Sequence, residues 1–180
     1  MAEQSSVARK DERASPSSPK AMTPEPGLAV ERLTHQDIPE ICALYKRVWD
    51  PFKSELSPEI LKTWEPTALE FTSWMEGVTY FAARREGKLI GAIGCAVQHG
   101  SCRLVHLAVD PEHRRRGVGS QLTLAAVEWA KHSNVPQVWV DALARFEEAA
   151  AMFRRLGFAH AGVLHRHFWR EDINLFEKVL

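Results

Sequence analysis

The feature that most constrains the fold is a glycine loop between an apolar segment and an amphipathic helix. Residues 104–109 form an apolar run of strand length, and Gly117 and Gly119 follow just before apolar residues at helical spacing. Those apolar positions are Val118, Leu122, Ala125 and Trp129. The first amide groups of a helix lack intrahelical partners and carry the positive end of its dipole. Strand, loop and helix start together therefore predict an anion-binding site.

The residues inside this loop agree with that prediction. Gly117 and Gly119 have no Cβ atom, so phosphate groups can approach the backbone and unusual dihedral angles are allowed. Three consecutive arginines, Arg114, Arg115 and Arg116, add local positive charge. The dinucleotide fingerprint needs a third glycine, and the phosphate loop of NTPases needs a lysine followed by serine or threonine. This chain has neither the third glycine nor the lysine pair. The remaining alternative to an anion-binding site is a simple turn with solvated arginines.

Composition narrows the class of protein. The chain has 180 residues, 45% of them hydrophobic and 26% charged, which is typical of one soluble domain with a real core. Its 23 basic and 23 acidic residues balance, so we expect neither nucleic acid nor a membrane as partner. Three cysteines without C-x-x-C spacing indicate reduced thiols, and no apolar run is long enough to cross a bilayer. We expect a cytoplasmic protein.

The chain divides into a tail and one domain. Residues 1–27 are rich in Ser, Pro, Glu, Lys and Arg and are predicted to be disordered, whereas residues 28–180 are predicted to fold. Apolar periodicity predicts strands at 28–33, 80–83, 89–93, 103–109, 137–141 and within 158–180, and helices from Thr34, at 57–74, 118–132 and 146–156. This order predicts a mixed α/β (α+β) sheet with helices on both faces.

The segment from 104 to 158 resembles the GNAT N-acetyltransferases. The spacing Arg114-x-x-Gly117-x-Gly119 is similar to the family pattern R/Q-x-x-G-x-G/A, and Leu156-Gly157-Phe158 is similar to the motif that closes its last helix. The resemblance implies a mostly antiparallel sheet whose fourth and fifth strands splay apart to admit the pantetheine arm of acetyl-coenzyme A. It assigns pantetheine to Leu107, Ala108 and Val109, and pyrophosphate to Arg114, Arg115, Gly117, Val118, Gly119 and Ser120.

The resemblance also implies an activity. It predicts transfer of an acetyl group from acetyl-coenzyme A to a primary amine of a small molecule, amino acid or peptide, by direct attack and without a metal. His165-x-His167 has no convincing third ligand nearby, which agrees with the absence of a metal site. A homodimer is a further implication, since family members are often dimers.

Two positions depart from the family pattern. Members often carry Asn at the start of the last helix and, seven residues later, a Tyr that protonates the departing thiolate; here these positions hold Phe146 and Phe153. Phe153 also lies on the apolar stripe of its helix, which favours a core role. The departures leave a second hypothesis open, a non-catalytic acyl-coenzyme A-binding or sensor module.

Candidates for the remaining roles are few. His106 and Asp141 are the candidate bases for the amine proton, because they lie on the two strands that are expected to splay. The alternatives are a packing histidine and the polar end of a strand. Trp49 and Phe52 flank Asp50-Pro51 in a predicted loop and are the candidate acceptor contacts.

Overall fold

A seven-stranded sheet forms the centre of the molecule, in the order β1-β2-β3-β4-β5-β7-β6. The computed structural model describes residues 27–180, so the predicted tail, apart from Gly27, lies outside the described residues. The strands are β1 Leu28–Arg32, β2 Thr79–Arg85, β3 Lys88–Gln98, β4 Ser101–Val109, β5 Gln137–Leu143, β6 Ala159–Phe168 and β7 Glu171–Val179. Only β4 and β5 pair in parallel, and every other described pair is antiparallel. The predicted fold class is confirmed.

Helices cover both faces of this sheet. They are α1 Ile38–Trp49, α2 Pro58–Trp64, α3 Ala68–Gly77, α4 Val118–His132 and α5 Glu147–Arg155. Buried residues of α4 and α5 share one apolar core with the sheet, whereas α1 and α3 form a second core on the opposite face. Among the described residues, no helix is long and apolar enough to span a bilayer.

One predicted helix was wrong. The single stretch expected at 57–74 is two helices, α2 and α3, separated around Pro66. Proline has no amide hydrogen to donate and disfavours helical dihedrals in the residue before it, and Glu65 accordingly leaves the helical region at φ −109° and ψ 77°. Thr67 then begins α3, where its backbone N–H and hydroxyl both donate to the Glu70 carboxylate at 2.8 and 2.7 Å.

The centre of the sheet is splayed. Residues 102–104 of β4 pair with residues 138–140 of β5, and no later residue of β4 pairs with β5 in the described sheet. The β3–β4 register shifts next to Ile93, where β4 carries one extra residue and His106 adopts a left-handed φ of +54°. A bulge of this kind bends the strand that contains it. The predicted gap between β4 and β5 is therefore confirmed.

Candidate active site

An open cleft of about 800 Å³ lies where the splayed end of β4 meets the start of α4 and one side of α5. Every residue predicted to contact the cofactor lines it, as do Trp49 and Phe52. The residues with this predicted role are Leu107, Ala108, Val109, Arg114, Arg115, Gly117, Val118, Gly119 and Ser120. Local sequence therefore brought the phosphate-loop residues and the strand residues to one place.

The start of α4 supplies free amide groups to this cleft. Gly117 is the N-cap with φ +83°, and the first intrahelical bond runs from the Gln121 amide to the Gly117 carbonyl at 2.9 Å. The amides of Val118, Gly119 and Ser120 precede that bond and have no acceptor within the helix. Only Gly117 uses the left-handed dihedrals expected of both glycines.

Gly119 contributes by leaving space in the cleft, not by adopting left-handed dihedral angles. A Cβ atom at this position would lie 3.2 Å from the Met152 sulfur and 3.6 Å from Cγ2 of Val109, and both side chains line the cleft. The missing side chain thus keeps room open beside the helix start. The free amides of Val118, Gly119 and Ser120 therefore fit an anionic ligand that approaches the backbone closely.

The two predicted arginines behave differently. Arg114 donates from Nε to the Val109 carbonyl at 3.2 Å and from Nη2 to the Val48 carbonyl at 3.3 Å, so it ties α1 to the end of β4. Burial lowers the pKa of its guanidinium. Arg115 is exposed and forms an ion pair with Glu148 of α5 across the cleft. The sequence did not reveal the role of Arg114 as a tie between segments.

The end of β4 is an edge that faces the gap. Ala108 and Val109 pair with Ala92 and Gly91 of β3 on one side, whereas the other side has no partner strand in the described sheet. An unpaired strand edge presents backbone donors and acceptors to an extended ligand. This arrangement suits a chain with amide groups that lies in the gap like an added strand.

Aromatic side chains form part of the lining of the cleft. Trp49 is the last residue of α1 and Phe52 lies in the following 3₁₀ turn Asp50–Phe52, so the loop predicted for both was wrong. Their ring centroids are 6.0 Å apart, and Phe146 lies 5.5 Å from Phe52. Phe146 lines the cleft too, which sequence reasoning missed. Its position directly before α5 was the available signal.

Residues 41–158 match the acetyltransferase (GNAT) family, over more than half of the chain. The chain belongs to the GNAT family. Human N-acetyltransferase 8B is 26% identical over 105 residues, which cover 55% of this chain and 46% of that protein. The uncharacterized N-acetyltransferase YjgM of Escherichia coli strain K12 is 31% identical over 88 residues, 47% and 53% of the two chains.

This GNAT chain spans about half the length of these curated relatives. Among solved structures, the PaiA N-acetyltransferase from Thermoplasma acidophilum, in complex with coenzyme A, is similar with a TM-score of 0.70. The two are 16% identical, and the match covers 85% of this chain and 99% of the other. At that identity the likeness shows the fold.

The two faces of α5 explain why position 153 holds Phe where family members often have Tyr. This side chain is 2% exposed and packs against Phe158 and Phe176 at centroid distances of 5.6 and 5.7 Å. Its interpretation as a core residue is confirmed. The cleft receives the opposite face, including Glu148, Ala151, Met152 and Arg155. These contacts were missed, although their spacing of three to four residues marks a helix face.

His106 lies on the bulge of β4, on the side of α1 and α3. Its Nδ1 is 2.6 Å from the Tyr80 hydroxyl, and its ring stacks on Trp74 at 4.2 Å. Burial, with a smaller contribution from the charge of Arg103, lowers the pKa of His106 to about 4. The imidazole is therefore neutral near pH 7, and it is not among the residues that line the cleft.

Asp141, the second candidate base, already has a partner. Arg103 donates to its Oδ1 from Nη2 at 2.7 Å and from Nε at 2.8 Å, and the same guanidinium lies over the Trp139 ring at 5.0 Å. A two-point ion pair stabilises the carboxylate and holds it in place. Like His106, Asp141 is not among the residues that line the cleft.

Asp110, Glu112 and His113 are the described residues with metal-ligand atoms close enough to share an ion, all within 4.8 Å of one another. Asp110 is occupied, since Arg47 donates to its Oδ2 at 3.0 Å and the Glu112 amide donates to its Oδ1 at 3.2 Å. Burial opposes ionisation of Asp110, but these hydrogen bonds and the charge of Arg47 outweigh it and lower the pKa. We assign no metal to this group.

Proposed function

We propose that the protein is an acetyl-coenzyme A-dependent N-acetyltransferase that acts on a primary amine of a small molecule, amino acid or peptide. The observation that carries the proposal is the convergence of the α4 helix start and the unpaired β4 edge in one cleft. Neither feature alone specifies coenzyme A. Together they match a ligand with a pyrophosphate at one end and an extended amide chain at the other.

The residues present fit this cosubstrate. The amides of Val118, Gly119 and Ser120, with the loop around Gly117, are the proposed pyrophosphate contacts, and Arg115 supplies charge at the exposed side. Residues 107–109 are the proposed pantetheine contacts. Support also comes from PaiA, whose solved structure contains coenzyme A and whose fold this chain shares.

Acetyl-coenzyme A supplies an activated acyl group: the amine nitrogen bonds to the thioester carbonyl carbon as the carbon–sulfur bond breaks and sulfur leaves with the electron pair. The amine must be neutral to attack, so its proton has to go elsewhere. Asp141 is held by Arg103, so we propose His106 as the acceptor, reached through water because it does not line the cleft. Its lowered pKa makes it a weak base, so the proton passes on to solvent. Phe153 is buried, so water is the proposed proton donor to the thiolate.

The acceptor amine is proposed to enter along Trp49 and Phe52. Both line the same cleft as the helix start. The acceptor and the cosubstrate would thus share one space, as direct transfer requires.

The test is release of free coenzyme A from acetyl-coenzyme A with a panel of small amines, amino acids and peptides. We expect release that depends on the added amine and a product that has gained one acetyl group by mass spectrometry. Calorimetry on the same preparation measures acetyl-coenzyme A binding. Tight binding without amine-dependent release across the panel would contradict the proposal and favour the sensor module.

A further inference from the structure

The strand edge proposed to contact pantetheine, residues 107–109, begins directly after a strained residue. His106 has a left-handed φ of +54° at the bulge, where two residues of β4 oppose one of β3. These dihedrals are unfavourable for a residue with a Cβ atom, so the surrounding structure has to hold them. The direction in which the edge leaves the bulge therefore depends on the groups that bind His106.

The backbone of His106 is bound by Tyr45 of α1. The Tyr45 hydroxyl donates to the His106 carbonyl oxygen at 2.7 Å. A bulge interrupts the ladder between two strands, so a buried carbonyl there needs a partner from elsewhere. Tyr45 is 2% exposed, and burial, with smaller contributions from Tyr80 and Cys42, raises the pKa of its hydroxyl well above the ordinary value. The hydroxyl therefore stays protonated near neutral pH and donates.

Helix α1 also holds the far end of the same edge. Arg47 donates from Nε to the Asp110 carboxylate at 3.0 Å. Arg114 ties the last turn of α1 to the end of β4 through the two carbonyls described above. Both of these ties start within one helical turn of Tyr45, so a single helix holds residues 107–109 at both ends.

A second tyrosine contacts the same histidine in a different way. The Tyr80 hydroxyl of β2 lies 2.6 Å from Nδ1 of His106, so it holds the ring and not the backbone. Tyr80 is 1% exposed, and its ring lies 4.7 Å from that of Phe71, as the Tyr45 ring does at 6.1 Å. The two tyrosines are therefore matched in burial and in a shared neighbour, and they differ in the part of His106 that they bind.

We infer that Tyr45 is a positioning residue for the cosubstrate, because its hydroxyl holds the His106 bulge and so aims residues 107–109 into the gap. The inference rests on the proposed acetyltransferase function and adds a residue that is not among the described residues lining the cleft. Without the hydroxyl, the His106 carbonyl loses its partner while the unfavourable dihedrals remain. Conformations in which the edge turns away then gain population, and the apparent affinity falls with the binding-competent fraction.

The experiment compares Tyr45→Phe with Tyr80→Phe, since each variant removes one buried hydroxyl and keeps the ring. In calorimetry, acetyl-coenzyme A affinity should be about three- to tenfold lower in Tyr45→Phe, the range expected for one hydrogen bond. Tyr80→Phe should bind acetyl-coenzyme A as the wild type does, although both variants should lose similar stability. In steady-state kinetics, KM for acetyl-coenzyme A should rise in Tyr45→Phe while KM for the amine stays the same.

Amide hydrogen exchange without ligand tests the bulge itself. The Asp110 amide donates to the Ile90 carbonyl of β3 at 2.8 Å, beyond the bulge and at the end of the edge. If the Tyr45 hydroxyl holds the bulge, exchange at Asp110 should be about three- to tenfold faster in Tyr45→Phe than in Tyr80→Phe.

The outcomes separate the positioning role from the proposed function. Equal acetyl-coenzyme A affinity in the two variants overturns the inference, whether both match the wild type or both fall, because the hydroxyl would then only stabilise the core. Equal exchange at Asp110 in the two variants also overturns it. A wild-type protein that does not bind acetyl-coenzyme A overturns the proposed function and the cosubstrate role of Tyr45, whereas the exchange comparison still decides whether Tyr45 holds the bulge.

Discussion

The cleft has two walls that are built on different principles. The cosubstrate wall consists of backbone groups at the start of α4 and along the β4 edge, with glycines where side chains would intrude. The acceptor wall consists of aromatic side chains contributed by four separate segments. Backbone recognition needs only a few adjacent residues, whereas the aromatic wall exists only after the whole domain has folded.

The difference between the two walls indicates which of them sets specificity for the acceptor. A helix start and a strand edge recognise features that every molecule of the cosubstrate has, so they can be similar across a family. The chemistry of the aromatic wall depends on which side chains the fold brings together. A single residue can change it, as at Phe146, where family members often have Asn. Four predictions test whether the two walls are as separate as this comparison states.

The largest effect is expected from Gly119→Val. The new side chain would fill the space between Met152 and Val109 that the phosphates need, so acetyl-coenzyme A affinity should fall by at least about a hundredfold, or about 2.7 kcal/mol. Calorimetry measures the affinity. The control is Gly77→Val, at a helix end with open space around the added carbon. Wild-type affinity in a folded Gly119→Val protein would contradict the cosubstrate wall.

A second variant, Phe153→Tyr, examines the boundary between cleft and core. The added hydroxyl would lie among Phe158 and Phe176 without a partner, so the free energy of unfolding should drop by about 2 kcal/mol with no gain in turnover. Phe81→Tyr, at a half-buried position, should cost less. Faster turnover in Phe153→Tyr would place this ring at the thiolate and refute its core assignment.

The pH dependence of stability tests the burial of His106 against Trp74 and Tyr80, outside the cleft lining. Its folded pKa, about 4, lies below the ordinary value of 6.5, so between these values the unfolded chain binds a proton that the folded chain does not. Stability should therefore be complete above pH 6.5 and decline as pH falls toward 4. For this partly exposed group we expect about 1–2 kcal/mol.

Urea unfolding at pH 7 and pH 4.5 measures this loss. His106→Gln, which keeps a polar partner for the Tyr80 hydroxyl, should reduce the difference between the two pH values. An unchanged difference would mean that His106 titrates normally. In that case the histidine would be more solvated, and closer to the acceptor, than its stacking on Trp74 indicates.

The smallest effect is expected from Gly117→Ala. A left-handed residue with a Cβ atom costs about 1 kcal/mol, so the melting temperature should fall slightly. Gly77→Ala has no such strain and should be neutral or stabilising. A Gly117→Ala protein as stable as the wild type would show that the loop can adopt other dihedrals, and the helix start would then be less rigid than described.

Prediction from sequence succeeded where the signal was local. The bounds of α4 and the clustering of the cofactor residues follow from adjacent apolar, glycine and capping positions. The helix break at Pro66 was not predicted, although the proline is present in the sequence, because apolar residues continue on both sides of it. The extra residue at His106 was not visible, since a bulge depends on the neighbouring strand. The homodimer and the cytoplasmic location stay predictions.

The acceptor wall could be predicted only in part. Trp49 and Phe52 are close in sequence, so their pairing was within reach of local reasoning. Phe146 and Phe168 join them only through the β5–α5 connection and the end of β6, at separations that no local pattern encodes. The partners of Arg114 and Asp141 were hidden for the same reason.

The central claim is that coenzyme A binds through the backbone of the α4 start and the β4 edge. Amide hydrogen exchange of the wild-type protein, with and without acetyl-coenzyme A, tests it residue by residue. We expect exchange to slow at Val118, Gly119 and Ser120 and along residues 107–109, with smaller changes elsewhere. A separate groove of about 570 Å³ includes Arg32, Met75 and Val97 in its lining. Protection confined to that groove would contradict the account.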